Sequence, residues 1–353
     1  MPNCLTDRCR VGNTDLNIPS FGLGTAHFGG MYHRVSGDVA HETMQAAWDA
    51  GVRLYDSAPW YGRGLSELRS GDFLRDRPRE DFILTTKVGR YLKRPADPST
   101  FDRAPWGGGL NMEVVWDYSY DGVMRAYEQS LLRLGLDRID ALLIHDPEAS
   151  ADPNGPKIED LPKSGIRALE ELKSSGQINA IGMGLNAASS LDTYATVVPL
   201  DFCVVAMPYT LLDQSALQHG MKRCEADNIS IIIGAPYASG ILATGPVEGA
   251  RYRYGIADAT ILEKTRRILD LCKAHSVSLQ AAALQFPLGH PAVVSVIPGG
   301  VTPQEVRANV GYFGEVIPDA FWRALRDSSL VDSDAPLPGV SPGAPKYNKR
   351  QDS

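Results

Sequence analysis

Residues 122–148, GVMRAYEQSLLRLGLDRIDALLIHDPE, carry the pattern from which the fold is read. Apolar positions recur at helical spacing over 122–134, and 139–145 then forms a short apolar run that reads as a buried strand ending on His145. The same beat recurs on both sides. Strands are predicted at 21–24, 53–56, 82–87, 139–145, 180–184, 202–207, 230–234 and 293–298. Helices are predicted at 38–50, 67–74, 122–134, 165–175, 217–227 and 302–309, with Gly51 and Gly176 as C-terminal stops. Alternating βα units imply a parallel sheet, and about eight of them imply an α/β fold of the (β/α)8 TIM-barrel class. Ahead of the first unit, 8–11 and 16–19 flank a Gly12-Asn13-Thr14-Asp15 turn, an N-terminal β-hairpin able to plug the barrel floor.

The 353 residues fit one barrel with extended loops, expected over 1–332, followed by a Pro/Gly-rich polar tail at 333–353 with little to bury. Hydrophobic residues at 43% and charged ones at 22% describe a globular chain with a large core. The net charge of -7, with no basic block, speaks against nucleic-acid partners. Without an apolar leader or a run of about 18 apolar residues, neither secretion nor membrane insertion is expected. Five scattered cysteines suggest neither a disulfide framework nor a metal site, and fit a reducing cytoplasm.

Barrel active sites lie at the carboxyl ends of the strands. Asp56, Lys87 and His145 end three neighbouring strands, and Tyr61 follows in a loop. A phenol near its ordinary pKa of about 10 is a poor proton acceptor at neutral pH, and a neighbouring lysine would correct that. Asp56 would keep Lys87 charged, while His145 would orient a substrate oxygen. Singly, each residue reads as a cap, loop packing, a solvated strand end or a core imidazole; the joint placement reverses those odds. The long connection 88–120 reads equally as a lid, which Trp106 and Trp116 favour, or as a loop packed onto the barrel, and Trp60, Trp106 and Trp116 are candidate substrate walls.

The stretches FGLGTAHFGG, AGVRLYDSAPWYG, FILTTKVGR and LGLDRIDALLIHDPE resemble the aldo-keto reductases over residues 8–330. The resemblance implies a nicotinamide-dependent oxidoreductase with the tetrad Asp56, Tyr61, Lys87 and His145. It also implies that Asn186 holds the nicotinamide carboxamide and that Tyr209 stacks on the ring; the family's usual Gln is here Ala206. Further cofactor contacts are expected from Ser239, Gly240, Gly299, Gly300, Glu305 and Asn309. In VIPGGVTPQEVRANV no Lys or Arg occupies 299–305, and Glu305 would repel a 2′-phosphate, so NAD is expected over NADP. Thr302 and Glu305 equally form a capping box.

DYSYDGVMRAYEQSLLRLGLDRIDALLIHDPE, YTLLDQSAL and LQAAALQFPLGHPAV look like the branch holding L-fucose and D-threo-aldose 1-dehydrogenases and pyridoxal 4-dehydrogenase. That implies a small-molecule substrate and oxidation of a cyclic hemiacetal to a lactone, with the aldose ahead of pyridoxal. A non-catalytic nucleotide-binding subunit is the alternative from another class.

Overall fold

The computed structural model describes residues 3–148, 158–194 and 198–340. The chain opens with an antiparallel hairpin, β1 (Arg8–Arg10) against β2 (Asn17–Pro19). Next come β3 (Leu23–Gly24), α1 (Gly37–Asp49), β4 (Leu54–Asp56), α2 (Leu65–Leu74) and β5 (Ile83–Val88). A second hairpin, β6 (Arg90–Lys93) with β7 (Glu113–Trp116), precedes α3 (Tyr120–Leu134) and β8 (Ala141–His145). The βα beat continues through α4 (Ile166–Ser174), β9 (Ala180–Leu185), α5 (Ala188–Tyr194), β10 (Phe202–Val205), α6 (Met221–Ala226) and β11 (Ser230–Ile233). After α7 (Ile241–Thr244), a small hairpin of β12 (Arg251–Tyr252) and β13 (Gly255–Ile256) leads to α8 (Ala259–Ala274) and α9 (Leu279–Gln285). The chain closes with β14 (Val293–Val296), α10 (Pro303–Phe313) and α11 (Asp319–Asp327).

Eight strands pair in parallel in the order β14-β11-β10-β9-β8-β5-β4-β3. Parallel bridges Phe21–Val296 and Gly24–Gly299 join the two ends, so the expected barrel closes. Two cores follow from this. Leu54, Leu143, Phe202, Ile232 and Val294 fill the interior, and Val11, Leu16 and Ile18 of the first hairpin seal its floor, as the sequence implied. Gly182 leaves room for the Phe202 ring, which would stand 2.6 Å from an added Cβ. The larger core lies between the outer strand faces and the helices.

Element boundaries differ from the sequence reading where the backbone turns. The strand predicted at 202–207 ends at Val205, because Met207 takes φ +76. The helix predicted at 217–227 is only α6, preceded by a separate 3-10 turn at Ser215–Gln218. The predicted tail starts too early: Ala335 and Leu337 are fully buried, and Arg326 donates to the Ala335 carbonyl at 2.8 Å. Small apolar residues spaced among prolines suffice to dock this strap; residues 341–353 lie outside the described ones.

The connection between β6 and β7 folds back over the mouth of the barrel. Arg63, itself 8% exposed, donates to the carbonyls of Met112, Ala104 and Asp102 at 3.2, 3.3 and 3.4 Å. Its guanidinium also lies 4.8 Å from the Phe101 ring and 5.2 Å from that of Trp60. One arginine thus ties the lid to the loop that carries Tyr61. Removing it with Arg63→Ala costs the lid about 2 kcal/mol of local stability, so limited proteolysis within 94–112 should run about 30-fold faster. An unchanged cleavage rate would show that other contacts hold the loop.

His290 is 3% exposed, its Nδ1 accepts from the Ala292 amide at 3.2 Å, and burial pushes its pKa down from 6.5 to about 4. Between those values the unfolded chain binds a proton that the native chain refuses, so stability falls as pH falls through this window. The loss reaches about 3 kcal/mol. His290→Asn keeps the acceptor without the titration, and its urea midpoint should decline less between pH 6.5 and 4 than that of the unsubstituted protein.

Candidate active site

Strands β4, β5 and β8 are neighbours, so the side chains at their carboxyl ends converge. Lys87, 2% exposed, donates from Nζ to Asp56 Oδ2 at 2.7 Å and to the Ser57 carbonyl at 2.8 Å. Thr85 Oγ1 donates to the other carboxylate oxygen, Asp56 Oδ1, at 2.8 Å. Tyr61 sits on a 3-10 turn in which Gly62 and Arg63 take φ 63 and 55. A Cβ on Gly62 would stand 2.4 Å from Gly29 Cα, so two loops meet closely here and place Tyr61 above the lysine. Lys87 Nζ lies 4.7 Å from the Tyr61 ring centre.

Burial raises the pKa of Tyr61, and Lys87 acts against that rise by its charge. The lysine is therefore what keeps ionisation of this buried phenol within reach. Burial would discharge Lys87, but Asp56 and Tyr61 overcome it and raise its pKa, so it stays an ammonium. His145 meets the Tyr61 ring edge-on at 5.9 Å. Burial, then Arg90, then Lys87, holds its pKa well below the ordinary histidine value, so it is neutral and can donate one N–H to an oxygen.

These four side chains line one end of a cavity of about 660 Å³ at the carboxyl face of the barrel. Trp60 and Trp106 form its wall there, with ring centres 5.6 Å apart. Ser239, Gly240, Gly299, Gly300, Glu305, Asn309 and Asn186 line the same cavity. A Cβ on Gly240 would meet nothing within 4 Å, so that turn is open to a ligand, and α10 points its N-terminus at the same cavity. Asn309 donates to the Gly299 carbonyl at 3.1 Å and accepts from the Tyr237 hydroxyl at 2.7 Å, tying together the loops that follow β14 and β11. Half of the expected capping box forms, Thr302 Oγ1 accepting from the Glu305 amide at 3.2 Å, while the Glu305 carboxylate accepts from the Val301 amide at 2.8 Å, one residue before the cap. Among the described residues, Lys87 is the one Lys or Arg that lines the cavity.

Two residues expected in the site lie elsewhere. Tyr209 is fully buried against Phe286 and His290, both rings 5.6 Å away, because the turn at Met207 swings the chain into the outer core. Met207 lines the cavity instead. Trp116 does not reach the cavity either; it ends β7 and stacks on the Arg90 guanidinium at 3.7 Å. The Asn186 amide, expected to hold the nicotinamide carboxamide, donates to Asp146 Oδ1 at 2.9 Å and accepts from the Tyr254 hydroxyl at 3.1 Å. Sequence reasoning missed Tyr254, Tyr237 and Asp146 as lining residues. Nothing at 249–256 marks a loop that reaches back over the mouth, and for Asp146 the available signal is its adjacency to His145.

Comparison with known proteins agrees with this geometry. Residues 20–329 match the Aldo/keto reductase family. A pyridoxal 4-dehydrogenase from Microbacterium luteolum is 38% identical over 92% of this chain and 98% of its own length. A D-threo-aldose 1-dehydrogenase from a Pseudomonas species is 37% identical over 90% of this chain and 95% of its own. The fold matches an aldo-keto reductase from Bacillus halodurans in its holo form, at a TM-score of 0.72 and 24% identity over 93% of this chain and 97% of that one. A buried lysine set between a carboxylate and a phenol, on a barrel matched along most of its length, leads to one conclusion: the chain belongs to the aldo/keto reductase family and is an oxidoreductase acting on CH–OH groups.

Proposed function

We propose that this oxidoreductase uses NAD to oxidise the cyclic hemiacetal of an aldose, of the L-fucose, D-threo-aldose or L-galactose type, at C1 to the lactone. The convergence of Tyr61, Lys87 and His145 at one end of the cavity carries the reading. NAD, when bound, supplies the hydride acceptor. The chain's residues handle the proton. Tyr61, as phenolate, takes the proton of the C1 hydroxyl while the C1–H bond breaks with its electron pair and the C1–O bond becomes a carbonyl. Lys87 holds the phenolate's charge before the transfer, and neutral His145 donates to the C1 oxygen. Ser239, Gly240, Gly299, Gly300 and Asn309 would hold the dinucleotide, with Asn186 toward the nicotinamide. The carboxylate of Glu305, and a cavity end with no Lys or Arg, support NAD over NADP, whose extra phosphate would meet repulsion and no cation.

A second reading, oxidation of pyridoxal to 4-pyridoxolactone, is favoured by the indole walls of Trp60 and Trp106 and by the relative of that activity. A non-catalytic binding role is disfavoured by the intact proton-handling set.

Tyr61→Phe should lower kcat about 10²- to 10⁴-fold and leave NAD affinity within about threefold, measured by fluorescence titration. Substantial residual turnover would remove Tyr61 from its role. L-fucose, D-arabinose, L-galactose and pyridoxal, each assayed with NAD and NADP at equal concentration, should give the highest kcat/KM with an aldose and NAD. A response to pyridoxal alone would overturn the choice of substrate, and a preference for NADP would overturn that of cofactor.

A further inference from the structure

Asp146 follows His145 at the end of β8, and side chains alternate along a strand, so regular backbone would turn it away from the cavity that His145 faces. It does not turn away. Asp146 takes φ +39, a left-handed conformation that an L-residue adopts at a cost, and with it the side chain lines the cavity beside His145.

The carboxylate is then fixed from both sides. Arg90, with its side chain 4% exposed, donates to Asp146 Oδ2 at 2.7 Å, and Asn186 donates to Oδ1 at 2.9 Å. Arg90 is itself clamped on the face of Trp116. Asp146 Oδ2 also lies 3.4 Å from His145 Nε2. An ionised carboxylate offers about four lone-pair sites, so these two protein donors leave acceptor capacity unspent. The pair is asymmetric in a telling way: the arginine is sealed, whereas the Asp146 side chain keeps 21% of its surface.

We propose that Asp146 determines substrate choice, accepting a hydrogen bond from the hydroxyl on the carbon next to the one oxidised. The inference rests on the reading above, in which Tyr61 and His145 hold the C1 oxygen. A carboxylate adjoining His145 then faces a substituent one atom from C1. In a cyclic hemiacetal, C1 bears the ring oxygen, which has no proton to give, and C2, whose hydroxyl does. A carboxylate can pair only with the second. Asp146 thereby selects 2-hydroxy hemiacetals, that is aldoses, over hemiacetals lacking a donor at that position, while Arg90 and Asn186 act as positioning residues that hold its plane.

D-Arabinose and 2-deoxy-D-ribose test this directly, because the second is the first without its C2 hydroxyl. The unsubstituted enzyme should favour D-arabinose in kcat/KM by about 10- to 100-fold. Asp146→Ala should shrink that ratio to within about threefold of unity, and Asp146→Asn, which keeps the shape if the alanine variant folds poorly, should lower it by about tenfold. General damage to the site slows both sugars and leaves the ratio intact, so the ratio isolates the contact. A ratio unchanged in both variants, or no preference in the unsubstituted enzyme, overturns the assignment of Asp146 and spares the aldose reading. Failure of the unsubstituted enzyme to oxidise any aldose with NAD overturns both.

Discussion

A buried ammonium governs this molecule. Lys87 lies inside the barrel mouth, where an unpaired charge would be prohibitively costly, and it donates to Asp56 and to the Ser57 carbonyl. These two bonds tie β4 to β5 at their carboxyl ends. Its charge also lies 4.7 Å from the Tyr61 ring centre, where it favours the phenolate. Burial, with Arg90 and then the same ammonium adding to it, keeps His145 neutral, with one N–H to donate. Satisfying one lysine thus arranges a proton acceptor, its counter-charge and a donor around a single point.

The barrel provides rigidity, and the loops at its mouth absorb the strain. Arg63, Asp146, Met207, Ser239, Arg253 and Tyr254 all take left-handed backbone, and each stands at the carboxyl face, beside the cavity or on a loop bordering it. Such conformations persist only where surrounding contacts hold them. Here those contacts are identifiable: Arg63 grips the lid, Asp146 is held by Arg90 and Asn186, and the Tyr254 amide donates to Ser239 Oγ at 2.9 Å. Asp146 and Met207 leave their strands in this conformation, and both line the cavity.

The barrel was legible in the sequence because its signal is periodic and local: apolar runs of strand length alternate with helical spacing, and the hairpin turn precedes them. Asp56, Lys87 and His145 could be placed because strand ends in a barrel share one face. Tyr209 and Trp116 could not. Whether an aromatic residue faces a cavity or the core depends on one backbone turn, at Met207, and on pairing across the 94–112 loop, and neither leaves a pattern in residue types. The start of the tail was misjudged for a related reason, since composition does not reveal that Ala335 and Leu337 find a groove beside Gly289. Asp146 shows the limit most clearly: it stands next to His145 in the sequence, but strand alternation would turn it away, and only the φ of +39 brings it to the cavity.

The central claim is that Lys87 brings the Tyr61 phenol into its working range, and the pH dependence of kcat/KM for aldose oxidation tests it most directly. In Lys87→Met the phenol loses its cation and keeps the nearby Asp56 carboxylate, so the rising limb of the profile must move to higher pH than in the unsubstituted enzyme. A rising limb at the same pH in both proteins would contradict the account.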